Sequence, residues 1–272
     1  MDKKLVICDI DNTLVEKHGE LSTRAKAVIE NLQKHHVYFG IASGRSIEQI
    51  KRMIQGWGYD DMDILIGLNG SVLWDGTEKK QHEYFIMKKK WIKEVIELME
   101  PFSENIVMYQ NDTLLCEKMD DMVEISSKSS DMKAIQVSSL AEFYTEDNAK
   151  IMFRTTEENM LKAEAFFASR SNDPYRAFKT QSTLMEFSDR RVSKAYTLQK
   201  FCEMHDISMK EVIAFGDTSN DNDMLEASGI GVCLSNGSDD TKAIADEITE
   251  LPCDQDGWAD YMEHHFLKPR GW

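Results

Sequence analysis

The chain has 272 residues, enough for one large domain or two ordinary ones, and 42% of them are hydrophobic, which is ample for a packed core. No apolar stretch approaches the roughly 18 residues that span a bilayer, the start MDKK lacks the apolar run of a signal peptide, and the five cysteines are scattered without a CxxC pair, so a membrane span, a disulfide scaffold and a zinc site are set aside and a cytoplasmic location is expected. A formal net charge of −16 repels nucleic acid, so an anionic ligand has to be drawn in by local cations.

In chain order, KKLVICDI reads as a buried strand. Residues 22–36 put Ala25, Val28, Ile29 and Leu32 on one helical face, with Ser22 as N-cap. VYFGIAS (37–43) is a second strand, IEQIKRMIQGW a second helix and DILIGLNG (63–70) a third strand. Strands this apolar, alternating with helices, predict a parallel sheet covered on both faces. From about residue 83 to 187 the texture changes to charged helices (KKWIKEVIELME, EENMLKAEAFFASR) among polar-flanked strands (NIVMYQND, AKIMFRTT, STLMEFSD), which predicts an inserted α+β domain. The first grammar then returns: AYTLQKFCEMHD is a helix, EVIAFGD (211–217) a strand, DNDMLEAS a short helix and GIGVCL (229–234) a strand. The expected organisation is an α/β, doubly wound, Rossmann-like core of residues 1–82 and 188–272 carrying an inserted α+β cap of residues 83–187.

The chemistry gathers at strand ends. Asp9 and Asp11, one residue apart, project at the carboxyl end of the first strand, where open α/β sheets bind ligands. Two close carboxylates repel unless a cation or a shared proton relieves them. A calcium loop fits poorly, because Leu14 stands at its sixth position where glycine is needed. AFGDTSNDNDML (214–225) repeats the pattern, an apolar strand delivering Asp217, with Asp221 and Asp223 following. Asp223 suits the start of a helix, whereas Asp217 ends a buried strand as Asp9 does. In a parallel sheet both strand ends share one edge, and hard oxygen ligands there suit Mg²⁺.

These stretches resemble the haloacid dehalogenase-like phosphatases, in their Cof-like branch. DIDNTL is similar to the family's DxDGTL, IASGR to its second motif, Lys194 in RRVSKAYTL to its third and GDTSNDNDML to its GDxxND motif. Further echoes are GLNGSVLWDG, GIGVCLSNGSDDTKAIADEIT and DGWADYM, so the resemblance covers nearly the whole chain in order. It implies an Mg²⁺-dependent phosphomonoesterase acting on a small phosphorylated metabolite, most readily a sugar phosphate. Asp9 is then the nucleophile that becomes an aspartyl-phosphate, and Asp11 the acid and base. Mg²⁺ is held by Asp9, the Asp11 carbonyl and Asp217, with Asp221 orienting the metal site. Ser43, the Gly44 N–H, Lys194 and Asn220 bind the phosphoryl group. Arg45 reaches the leaving group or forms a surface ion pair.

The cap is expected to close over the site and set specificity, with Glu83, Tyr109, Arg154, Lys179 and Glu186 as candidates for its lining. Asn12 stands where the family has glycine, and asparagine tolerates the same left-handed backbone. LSNG replaces MGNA. The same fold also serves phosphoryl-transferring sugar phosphomutases, and a noncatalytic metabolite-binding protein could keep it. No nucleic-acid or membrane partner is expected, and the chain is read as a monomer or small homo-oligomer.

Overall fold

The computed structural model describes residues 3–16 and 19–272, which fall into two compact units, Met1–Tyr84 with Ser193–Trp272, and Phe85–Val192. Elements β1 (Leu5–Cys8), α1 (Thr23–Lys34), β2 (Tyr38–Ala42), α2 (Ile47–Gly56), β3 (Ile64–Gly67), β4 (Val72–Asp75) and β5 (Lys80–Glu83) open the first unit. The inserted unit holds α3 (Lys89–Met99), β6 (Asn105–Gln110), β7 (Thr113–Cys116), α4 (Asp121–Ser130), β8 (Lys133–Gln136), β9 (Lys150–Arg154), α5 (Glu157–Ala168), β10 (Tyr175–Gln181) and β11 (Leu184–Asp189). The first unit is completed by α6 (Lys194–Met204), β12 (Val212–Gly216), α7 (Asn222–Ala227), β13 (Ile230–Cys233), α8 (Asp239–Ile244), β14 (Glu247–Ile248) and α9 (Gly257–Tyr261).

The sheet of the first unit runs β14-β13-β12-β1-β2-β3-β4-β5. It is parallel from β14 to β3, and β4 and β5 add an antiparallel edge. Strand side chains alternate between faces, and both faces are covered. Val6, Cys8, Phe39, Ile41 and Phe215 pack with α1, α2 and α9, while Leu5, Ile7, Ile64, Ile66 and Ala214 pack with Leu198 and Phe201 of α6 and Met224 of α7. This is the doubly wound architecture read from the uninterrupted apolar strands. Helix α1 begins where Ser22 Oγ accepts the Ala25 N–H, and α2 begins with a reciprocal Ser46 and Gln49 capping box.

The third strand is shorter than the expected 63–70. It stops at Gly67, and Leu68, Asn69 and Gly70 follow with φ of 51°, 58° and 108°. Their N–H groups leave the ladder: Leu68 donates to the Arg45 carbonyl at 2.8 Å and Asn69 to the Ser43 carbonyl at 3.0 Å. Asp9 and Asp11 likewise lie just beyond β1, in a loop where Asn12 takes φ 63°. Asparagine therefore supplies the left-handed residue that glycine would have given.

The inserted unit is a six-stranded sheet ordered β10-β11-β9-β6-β7-β8, antiparallel except for the β7 and β8 pair. Ile92, Val95 and Met99 of α3 and Met160 and Phe167 of α5 cover Ile151, Phe153, Met185 and Phe187 on one face. On the other, Val123 of α4 packs with Val107, Met152 and Leu184. Glu83, expected in the insertion, instead ends β5 and pairs with Val72 in the first unit. The remaining candidates make contacts within the inserted unit. Arg154 donates to Ser126 Oγ at 2.7 Å, Lys179 pairs with Glu164 on the surface, and Glu186 forms a buried ion pair with Lys150 at 2.8 Å. Tyr109 has its ring 5.8 Å from Lys150 Nζ. Among the described residues no helix is long and apolar enough to cross a membrane.

Candidate active site

β1 lies between β2 and β12, so three adjacent parallel strands end together and the chain departs to either side of them. Such a point in an open parallel sheet leaves a crevice at the carboxyl ends of the strands. Asp9 follows β1, Ser43 follows β2 and Asp217 follows β12. All three are buried. Carboxylate oxygens of Asp9, Asp217 and Asp221 lie within 4.8 Å of one another.

Lys194, the first residue of α6, reaches into this cluster with its ammonium fully enclosed. It donates to Asp9 Oδ1 at 2.7 Å, Asp221 Oδ1 at 2.6 Å and the Ala42 carbonyl at 2.9 Å, which uses all three N–H bonds. Helix α6 is anchored by its cap. Ser193 Oγ accepts the Tyr196 N–H and donates to Asp223, so Asp223 ties α7 to the start of α6 as well as standing in a helical first turn. Asp221 is fixed by its other oxygen, which accepts the N–H groups of Asp217 at 3.1 Å and Thr218 at 3.3 Å. Thr13 donates to Asp217 Oδ1 at 2.9 Å, a pairing the sequence did not signal.

The electrostatics follow from burial. Burial, with Asp221 and Asp217 adding repulsion and Lys194 opposing them, raises the Asp9 carboxyl to about 8. Burial and Asp221 raise Asp217 to about 6 against the Thr13 hydrogen bond and Lys194. Burial works against the Lys194 ammonium, yet Asp221 and Asp9 outweigh it and raise its pKa. With all three ionised, three carboxylates against one ammonium would leave two negative charges in a buried cluster, and that burial and repulsion raise the Asp9 and Asp217 carboxyls. A small divalent cation with hard oxygen ligands matches both the charge and the donor set, so these residues fit Mg²⁺.

Asp11 sits apart from that cluster. Half-exposed, it accepts a forked pair of bonds from Arg45, with Nη2 at 2.8 Å and Nε at 3.2 Å. Of the two sites considered for Arg45, the structure places it in this ion pair at the rim. Ser43 Oγ accepts the Arg45 N–H at 3.3 Å. Asn220 donates through Nδ2 to Asn69 Oδ1 at 3.3 Å, and a Cβ built on Gly44 would lie 3.3 Å from that same Asn69 oxygen. Ser43, Gly44, Asn69 and Asn220 thus form one side of the crevice. The signal for Asn69 was present in GLNG but carried no chemistry until the fold placed it.

A profile of haloacid dehalogenase-like hydrolases matches residues 6–262. The chain is 24% identical to the phosphatase YwpJ of Bacillus subtilis over 96% of its own length and 99% of that protein. It is 23% identical to the B. subtilis 5-amino-6-(5-phospho-D-ribitylamino)uracil phosphatase YitU, covering 96% of this chain and 97% of that one. A haloacid dehalogenase-like hydrolase from Bacteroides thetaiotaomicron superposes with a TM-score of 0.86 at 23% identity, over 97% of this chain and 100% of that one. With the profile spanning the aspartate loop, the crevice and the insertion alike, the chain belongs to the haloacid dehalogenase-like hydrolases, in their Cof-like phosphatase branch.

Proposed function

We propose that the protein hydrolyses small phosphomonoesters through an aspartyl-phosphate, with sugar or sugar-alcohol phosphates as the substrate class. The observation that carries this is the convergence of Asp9, Lys194, Asp217 and Asp221 in a buried cluster beside Ser43, with Asp11 at its rim. Asp9 attacks phosphorus as its carboxylate, and its ester oxygen bond to phosphorus forms as the bond to the leaving oxygen breaks. Asp11 gives its proton to that leaving oxygen, then takes one from the water that attacks the aspartyl-phosphate, releasing phosphate and restoring Asp9. Lys194 favours the ionised form of Asp9 against burial and faces the transferring charge, and the Ser43 hydroxyl and Gly44 N–H accept the role of donors to phosphoryl oxygens. Mg²⁺, held by Asp9, Asp217 and the Asp11 carbonyl with Asp221 orienting the set, would neutralise the charge that otherwise sets carboxylate against phosphate.

The inserted unit, residues 83–187 by sequence texture, is proposed as the cap that selects the leaving group, and the relative YitU, a phosphatase of a phosphoribitylamino compound, supports the polyol assignment. The test is phosphate release from a panel of sugar, polyol and nucleotide monophosphates with Mg²⁺, wild type beside Asp9→Asn. Release confined to wild type is expected. Release that persists in Asp9→Asn would overturn the covalent route, and transfer of the phosphoryl group to a second sugar in place of water would make the enzyme a mutase.

A further inference from the structure

The turn at Leu68–Gly70 is the most strained stretch near the crevice. Three successive residues have positive φ, and one of them is leucine, for which the left-handed region is costly. A fold keeps such a turn when the surroundings over-determine it. Here they do. The turn's N–H groups bind the carbonyls of Arg45 and Ser43, and the Gly70 carbonyl accepts the Thr197 hydroxyl at 2.6 Å. A Cβ on Gly70 would lie 2.2 Å from the Ser193 carbonyl, so the turn is packed flat against the start of the helix that carries Lys194. One turn thereby meets the Ser43 loop, the Asn220 loop and the Lys194 helix.

Asn69 is its only polar side chain and is buried. Its orientation is set by a relay: the Thr218 hydroxyl donates to Asn220 Oδ1 at 2.7 Å, which turns Asn220 Nδ2 toward Asn69 Oδ1. The oxygen of Asn69 is thus engaged, while no acceptor among the described residues takes its Nδ2, which lies beside Gly44. An amide donor held this way, in a crevice that Ser43, Gly44 and Asn220 share, is placed for an anion rather than for the protein.

We propose, building on the phosphatase assignment above, that Asn69 is a further phosphoryl-binding residue: it orients Asn220 through Oδ1 and donates from Nδ2 to a phosphoryl oxygen. The strained turn is the device that delivers it.

Two substitutions that both tolerate a left-handed backbone separate this from a merely structural role. Asn69→Gly removes the amide, and Asn69→Asp keeps an acceptor for Asn220 while replacing the donor with a negative charge. With para-nitrophenyl phosphate as substrate and orthophosphate as competitive inhibitor, kcat/KM is expected to fall about tenfold or more in Asn69→Gly and about a hundredfold in Asn69→Asp, as for loss of one oxyanion donor. The inhibition constant of orthophosphate should rise in the same order, with the thermal midpoint held. If both variants keep kcat/KM and orthophosphate inhibition within about twofold, a change smaller than one lost hydrogen bond would give, Asn69 only shapes the turn and the proposal is overturned. A wild type that neither releases phosphate nor is protected from heat by orthophosphate would instead refute the phosphatase assignment itself, before any variant is compared.

Discussion

Replacing Lys194 with methionine keeps the buried aliphatic stem and removes the charge. The ammonium lies 2.7 Å from Asp9 and 2.6 Å from Asp221, with no solvent exposure. At an effective dielectric of about 20 each contact is worth about 6 kcal/mol of attraction, set against several kcal/mol for desolvating the ammonium. Removing one partner of such an enclosed pair leaves the others uncompensated and costs about 3–5 kcal/mol. For a unit of this size that lowers the thermal midpoint by about 6–20 °C. A Trp91→Phe background makes the readout clean, because Trp57, Trp74, Trp258 and Trp272 then report the first unit alone. The loss has a pH signature. The Asp217 carboxyl, raised to about 6 against the pull of Lys194, takes a proton more readily without it, and protonation at low pH removes a stranded charge. Lys194→Met should therefore be much closer to its parent at pH 5 than at pH 7.5, with catalysis lost at both. A destabilisation below about 1 kcal/mol at pH 7.5, or one equal at the two pH values, would refute the idea that Lys194 is the counter-charge of the site.

Gly70→Ala adds a Cβ that would sit 2.2 Å from the Ser193 carbonyl at φ 108°, so we expect about 2–4 kcal/mol of destabilisation and a fall in kcat as α6 shifts; a thermal midpoint equal to wild type would count against the close approach. In chelator, the stability of the first unit should decline as pH rises from about 4 to about 8. Asp9, raised to about 8, and Asp217, raised to about 6, hold protons in the folded state that the unfolded chain has released, so their favourable contribution is present at low pH and lost through that window. Adding Mg²⁺ should flatten the slope and restore activity, and activity that survives exhaustive chelation would remove the metal from the mechanism. In the inserted unit, Lys150→Met strands buried Glu186 and should cost about 3 kcal/mol, while Lys150→Met with Glu186→Leu recovers most of it in urea unfolding; a double variant no better than the single would show that the pair is held by something other than mutual charge.

The architecture was legible because parallel strands buried on both faces are written as unbroken apolar runs. LVIC, YFGIA and ILIG are such runs; the first two end where polar Asp9 and Ser43 begin, and the third ends at the turn that Leu68 opens. What stayed hidden lies in tertiary placement. Lys194 on its own is a lysine opening a helix, and only packing puts its ammonium among three aspartates. Arg45 beside Asp11, Thr13 beside Asp217 and Asp223 beside Ser193 are pairs between segments far apart in sequence that periodicity cannot connect. The left-handed turn after β3 was overlooked because leucine gives no local sign of positive φ; the carbonyls of Ser43 and Arg45 impose it.

The central strand β1 is made well before its partner β12, which follows it by some two hundred residues, with Leu5 opposite Val212. At about 5–20 residues per second of synthesis, one side of the most apolar strand in the protein waits about 10–40 seconds for its neighbour. During that interval β1 can pair only with β2, and its open edge is a template for unwanted association. The inserted unit suffers no such delay, since its strands all come from one continuous stretch and can associate while the rest is still being made. Asp9 and Asp217 are therefore brought together late, so the growing chain cannot assemble the buried aspartate cluster until β12 has emerged.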